Sequence, residues 1–390
     1  MAFRPWFFRV ATVAVFIGLV FWWLNIAYKK PLWNDELYSQ VASIQGQSYW
    51  GMFSGHIQEG NITPLFYLVQ KAWADLCHYQ TPQFWLQGQW GYNHPFSNGF
   101  LRVWPVVSMA AGIAAIFYYF CARWNAWTGL YSLLVSLSSF MVWSYAFQAR
   151  PYALWFLLTA LQMIALLCFI DAADKDKDRY LRWLNVLHWL LAFTVVFSVI
   201  QNFASCLVLG LSKERRWRTY AGLGIAPAAV SLFYYFLSPK YHFWLKESFM
   251  GLLGASLPLD RLLIIALAAV LLGIASLKWS QSWFGRVNPR QGRGWRAALL
   301  FTFVVFAGCW AVLMKFQAGQ TTDQEGFQVS NRYFMVLAPA GIIMTTMASY
   351  YIAVLPKGML KKAAWIFLAV FFALRLWRVW LLVISKQISG

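Results

Sequence analysis

Acidic side chains are scarce in this sequence. Its 390 residues hold 13 Asp and Glu against 32 Lys and Arg, and charged residues make up only 12% of the chain. A soluble domain carries roughly a quarter of its residues as charges, so that class is excluded. Histidine is scarce too. His56, His78, His94, His188 and His242 are scattered, and no pair has the spacing of a metal-binding helix motif. No protein-built metal site is expected. The cysteines Cys77, Cys121, Cys168, Cys206 and Cys309 share no ligand spacing, and most lie in apolar runs as small core residues. No internal repeat or low-complexity tract is visible, and no soluble domain is expected at either end.

What the chain has in excess is apolar surface. Hydrophobic residues make up 61% of it. Several runs of about 18 residues or more carry almost no charge, which suits helices crossing a bilayer core of about 30 Å. The runs are unbroken rather than alternating, which excludes a transmembrane barrel. The net charge of +19 could suggest nucleic acid. The basic residues, however, sit in short clusters between apolar runs, as loop charges that set topology do. The expected fold is therefore an all-α polytopic membrane protein, with membrane lipid as a partner and no nucleic acid.

The runs fall at 6–28, 100–122, 126–147, 150–171, 183–199, 200–213, 218–238, 259–278, 296–315, 332–354 and 361–385. The first is too long for a signal-peptide core and reads as a signal anchor. Four loops are markedly basic: "DKDKDRYLR", "SKERRWR", "KWSQSWFGRVNPRQGRGWR" and "PKGMLKK". The positive-inside rule puts all four in the cytoplasm. Parity then makes residues 29–99 one large external loop. The segment "ITPLFYLVQKAWADL" at 62–76 is an interfacial or re-entrant helix within it. Eleven spans result, with a break placed near Gln201–Asn202 to keep two basic loops on one face.

On the external side the scarce acids reappear. "NDE" places Asp35 and Glu36 just beyond the first run. Asn34 can cap a helix there, and acids suit a first helical turn. Three arginines start runs on the same side: Arg102 in "GFLRVWP", Arg150 with Tyr152 in "QARPYAL", and Arg332 with Tyr333 in "SNRYFMVLAP". Interfacial snorkelling would explain each singly. As a cluster on the less expected face, they point to an anion such as a phosphate held by guanidinium forks. Glu59 and Lys71 are secondary candidates for acceptor or loop contacts. Asp323 and Glu325 lie in an external loop. Arg375 and Arg378 fall inside the last run, where a structural role outweighs a lipid groove.

In this order, "NDE", "PLFYLVQKAW", "FLRVWPVVSMAAGIAAIFYYF", "FQARPYALWFLLTAL" and "NRYFMVLAPAGIIM" resemble the polytopic GT-C glycosyltransferases. That superfamily includes protein O-mannosyltransferases and lipid A aminoarabinose transferases. The match runs over about 1–350. It departs at Ile62–Pro64, where relatives often carry His-Pro-Pro. The resemblance implies a catalytic module over 1–238 and variable helices over 239–390, within one membrane domain. It implies a sugar donor linked to a polyprenyl phosphate, an inverting transfer, and Asp35 as the catalytic carboxylate. Glu36 would stand beside it, and Arg102, Arg150, Tyr152, Arg332 and Tyr333 would hold the donor phosphate. The acceptor, a glycan, lipid or protein, is not readable. Some relatives use a divalent ion, and the residues leave that open. The expected location is a bacterial inner membrane, with the site facing the periplasm. A lipid-linked sugar flippase, or a polymerase or ligase using lipid diphosphates, would want the same external arginines.

Overall fold

The computed structural model describes residues 5–57, 59, 63–80, 95–212, 216–237, 289–318, 334–354 and 358–381. The run at 259–278, and Asp323, Glu325, Arg332 and Tyr333, lie outside the described residues. Every regular element among the described residues is a helix. Among the described residues, five helical stretches are long and apolar enough to cross a membrane: Trp6–Lys29, Val103–Arg123, Tyr152–Asp171, Trp217–Leu237 and Gly294–Val312. The protein is thus an all-helical membrane protein.

Helix α1 (Pro5–Lys29) buries one stripe, Leu19, Trp23 and Ala27, at a spacing of four. Val10, Val13, Ile17 and Phe21 remain exposed, as side chains facing lipid would be. After it come α2 (Asn34–Tyr38), which widens into a π-helical turn over Ser39–Ile44, and α3 (Tyr49–Phe53). Trp33 is the N-cap of α2, so Asn34 opens the helix rather than capping it as expected. Helix α4 (Leu65–Leu76) has twelve residues and reaches about 18 Å, too short to span a core of about 30 Å. It is tied down by Gln70 Nε2 donating to the Leu101 carbonyl at 2.8 Å.

Helices α5 (Pro95–Leu101) and α6 (Val103–Arg123) lead into α7 (Ala126–Leu137), α8 (Phe140–Tyr145) and α9 (Tyr152–Asp171). At the far end of α6, Arg123 lies against Cys168 of α9. At the near end, Arg102 and Ala149 both reach Glu36. Helices α6 and α9 therefore run parallel. Their close approach rests on Gly112: a Cβ there would stand 2.7 Å from the Phe156 ring and 3.2 Å from the Leu157 backbone. Small residues at such crossings let helices meet without help from a hydrophobic effect.

The run at 126–147 is not one helix. It breaks at Ser138–Ser139, between α7 and α8. Carbonyls freed in an apolar medium need donors. Trp143 Nε1 donates to the Leu137 carbonyl at 2.6 Å, and Arg375 Nε donates to the Ser138 carbonyl at 3.2 Å. Arg378 stacks over Phe140. Arg375 and Arg378, on α16 (Met359–Val379), thus brace the break, in line with a structural role.

The break expected near Gln201–Asn202 lies elsewhere. Helix α10 (Asp174–Ala192) ends at Phe193, and α11 (Ser198–Leu211) carries both polar residues in its interior. They pair across helices. Gln201 accepts from Trp155 Nε1 at 2.7 Å and donates to Gln162 at 2.9 Å. Gln162 in turn donates to Asn202 at 3.1 Å. The turn over 193–197 still brings the two basic loops together, since Arg216 pairs with Asp178 at 2.8 Å. Helices α12 (Trp217–Tyr220) and α13 (Ala226–Leu237) follow, joined by a π-helical turn at Ala221–Ile225. Then come α14 (Pro289–Ala318) and α15 (Leu337–Val354). Trp295 of α14 meets Tyr351 of α15, and Tyr351 meets Trp124. The described parts of the basic loops thus gather at the end of the bundle opposite Asp35.

Candidate functional site

The chain leaving α1 turns sharply at Lys30–Pro31 and restarts at α2. Glu36, in the first turn, accepts from the Trp33 amide at 3.1 Å through Oε2 and closes the helix start. One residue earlier, Asp35 points to a different side, because each helical residue rotates by about 100°. The two acids consequently meet different arginines.

Glu36 meets Arg102. The pair is fully buried, with Nη2 at 2.6 Å from Oε2 and Nε at 2.8 Å from Oε1. The remaining guanidinium donors go to backbone carbonyls. Nη1 reaches Ala27 at 3.0 Å and also Lys30, and Nη2 reaches Pro31 at 2.9 Å. All five N–H groups of Arg102 are taken. Glu36 is as fully used: Oε1 also accepts from the Ala149 amide at 2.7 Å. This unit ties the end of α1, the start of α6 and the connection before α9 to one carboxylate.

The sequence expectation put Arg102 at the donor phosphate and Glu36 beside the catalytic carboxylate. The arrangement leaves neither side chain a free hydrogen-bonding position. Both are internal joints of the fold.

Asp35 meets Arg150. Asp35 Oδ2 stands 2.6 Å from Arg150 Nη1, with the Asp35 side chain 36% exposed and that of Arg150 only 8%. On its other prong, Arg150 Nη2 stands 2.7 Å from Glu59 Oε2, and Glu59 is buried. The guanidinium lies over the Tyr152 ring at 5.6 Å. Burial alone would weaken the Arg150 charge. Glu59, Tyr152, Tyr67 and Asp35 outweigh it and raise its pKa. Burial, with Glu59 adding to it, likewise pushes the Tyr67 phenol well above its usual value. Arg150 Nε is buried and has no hydrogen-bond partner among the described residues. Arg150 thus keeps donor capacity that Arg102 lacks. Tyr152 serves as the platform beneath it.

Lys30 sits beside the same turn, 4.9 Å above the Phe147 ring. Burial and the Arg102 charge lower its pKa. Lys71 belongs elsewhere. It pairs with Asp75 at 3.2 Å on the exposed side of α4, where Asp75 also accepts from Tyr49 at 2.6 Å. The structure does not bring it to Asp35. Among the described residues no group of three or more His, Cys, Asp or Glu could hold a metal ion.

No protein-family model matches the chain, and no curated protein matches it either. The functional reading therefore rests on the residues themselves. Sequence reasoning ranked Glu59 second and missed Tyr67. A lone Glu in a polar loop carries no periodic signal, and Tyr67 reads as one more aromatic on an apolar helix. The only clue to either was their nearness to "NDE" within one loop.

Proposed function

We propose that the protein is a membrane-embedded glycosyltransferase that moves a sugar from a polyprenyl-phosphate donor to an acceptor hydroxyl. The observation that carries this reading is the half-exposed Asp35 carboxylate, gripped by a buried arginine with donor capacity to spare, at the end of the first apolar helix. A lipid-borne phosphate has to lie at that boundary. The resemblance to GT-C enzymes puts the catalytic carboxylate at the same position. In this proposal the chain crosses the membrane eleven times, with its N-terminus and basic loops cytoplasmic and Asp35 on the external face, in a bacterial inner membrane.

The reaction needs a base for the incoming hydroxyl and positive charge for the departing phosphate. Asp35 takes the hydroxyl proton. The acceptor oxygen bonds to the anomeric carbon as the bond from that carbon to the phosphate oxygen breaks, and the electron pair leaves with the phosphate. The carbon passes through an oxocarbenium-like state and its configuration inverts. Arg150 offers its remaining N–H, at Nε, to the departing phosphate, and Arg332 with Tyr333, from the later external segment, supplies the positive charge. A flippase reading would draw on broken helices lining a cavity. The break between α7 and α8 is instead closed by Arg375 and Trp143, so it lends that reading no support.

The test is transfer from a defined lipid-phosphate sugar by the purified protein, with donor binding measured alongside. Asp35→Asn should keep its fold and bind donor but lose at least about a hundredfold in turnover, the lower range of general-base catalysis. Near-normal turnover in Asp35→Asn would sink the assignment.

A further inference from the structure

Two carboxylates share one guanidinium in this site, and they are not equivalent. Asp35 is the exposed partner and Glu59 the buried one, at nearly equal distances of 2.6 Å and 2.7 Å from the two prongs of Arg150. Charge pairs weaken where water screens them and strengthen where it is excluded. The Glu59 side chain is 5% exposed, so its pairing with Arg150 is the stronger of the two. The charge count follows. One guanidinium and two carboxylates leave a net negative charge, and the water-facing end of the unit is Asp35.

We propose that Glu59 is a positioning residue that carries the counter-charge of Arg150, so that the guanidinium aims the Asp35 carboxylate without cancelling its charge. The proposal rests on the transferase reading, in which Asp35 is the base. A lone Asp–Arg pair holds its carboxylate still but makes it a poorer proton acceptor, because an adjacent cation favours the charged form. A second, buried anion on the far prong offsets that. It also fixes the plane of Arg150, already stacked on Tyr152, so the near prong can point only along the line to Asp35. Among the described residues the titratable or charged groups around this unit are Arg150 and Tyr152 at the start of α9, Glu59 after α3, Tyr67 on α4, and the closed Glu36–Arg102 pair with Lys30 across α2. The Arg102 and Glu36 charges are matched to each other, which leaves Glu59, among the described residues, as the buried carboxylate that balances Arg150.

The experiment uses the full-length protein in detergent, with Glu59→Gln and Glu59→Asp. The amide can still accept from Arg150 but carries no charge; the shorter acid keeps the charge. In wild type the pH profile of turnover over KM has an acidic limb set by the base. In Glu59→Gln that limb should move down by about one pH unit, the lower end of what an unshared cation does to a carboxylate. The plateau should fall about tenfold, mainly in kcat. Glu59→Asp should restore most of both. A purely structural Glu59 would lower the plateau without moving the limb, and that result overturns the proposal. A second measurement does not need the reaction. The melting-temperature loss caused by Asp35→Asn should be larger in the Glu59→Gln background than in wild type, because Asp35 is then the one carboxylate among the described residues that pairs with Arg150. Equal losses overturn the proposal. If wild type transfers no sugar from any lipid phosphate, the transferase reading fails while this thermal comparison still decides the role of Glu59.

Discussion

Replacing Arg102 with alanine should unfold the end of the bundle that carries Asp35 and Glu36, and the structure gives the scale of the effect. The side chain makes five hydrogen bonds, two to Glu36 and three to the carbonyls of Ala27, Lys30 and Pro31. Its removal leaves a fully buried carboxylate with two backbone amides, those of Trp33 and Ala149, as its remaining partners. Breaking a buried ion pair from one side costs about 3–5 kcal/mol, because the other charge is stranded. That is a large share of the 5–15 kcal/mol that holds a typical protein folded. Arg102→Lys keeps the charge but offers three donors in place of five, so it should fall between wild type and alanine. Adding Glu36→Gln to Arg102→Met removes both charges and should recover part of the loss. Thermal unfolding in detergent, followed by the monodisperse fraction after heating, reads these three variants against wild type. An Arg102→Ala protein that melts with wild type refutes the reasoning, as does a double variant less stable than Arg102→Ala. A loss of donor affinity in Arg102→Lys with unchanged melting would return Arg102 to the phosphate.

Gly112→Ala should destabilise by about 1–3 kcal/mol, the range for overpacking, because its Cβ would meet the Phe156 ring at 2.7 Å; Phe156→Leu should relieve it in the same melting assay. Gln201→Leu should cost about 0.6–1.7 kcal/mol, the range measured for hydrogen bonds between membrane helices, since Trp155 and Gln162 each lose a partner. Lys71→Ala should leave sugar transfer within about twofold of wild type, because an exposed Lys–Asp pair contributes roughly 0–1 kcal/mol and lies apart from Asp35; a tenfold loss would restore Lys71 as an acceptor contact.

The fold was legible where composition decides it. The runs at 100–122 and 150–171 anticipate Val103–Arg123 and Tyr152–Asp171 within three residues. Burial of long apolar segments leaves little choice of structure in a bilayer. The breaks were harder, since polar residues mark them in soluble chains but can be paired across helices in a membrane. Gln201 and Asn202 read as a boundary and proved to be buried contacts. Ser138–Ser139 sat inside an apolar run, and its break became visible only through Arg375, more than two hundred residues away in sequence.

The candidate site turned on a distinction that residue type does not carry. Arg102 and Arg150 stand in the same sequence setting, each a few residues before a long apolar helix and each facing the loop that holds "NDE". What separates them is the acid across from each. Asp35 and Glu36 are neighbours in the chain, and a helix turns neighbours apart by about 100°. One acid is thereby driven into the bundle, where Arg102 and two amides saturate it. The other is left at the rim, where Arg150 reaches it with one prong while Glu59 holds the second. The saturated pair has no donor or acceptor left to offer a ligand. The second pair keeps a carboxylate at the rim, its side chain 36% exposed, and a buried Arg150 Nε without a partner among the described residues. Chemistry requires groups whose hydrogen-bonding capacity is held in place but not used up, and of the two arginine–carboxylate units only the one at Asp35 meets that condition.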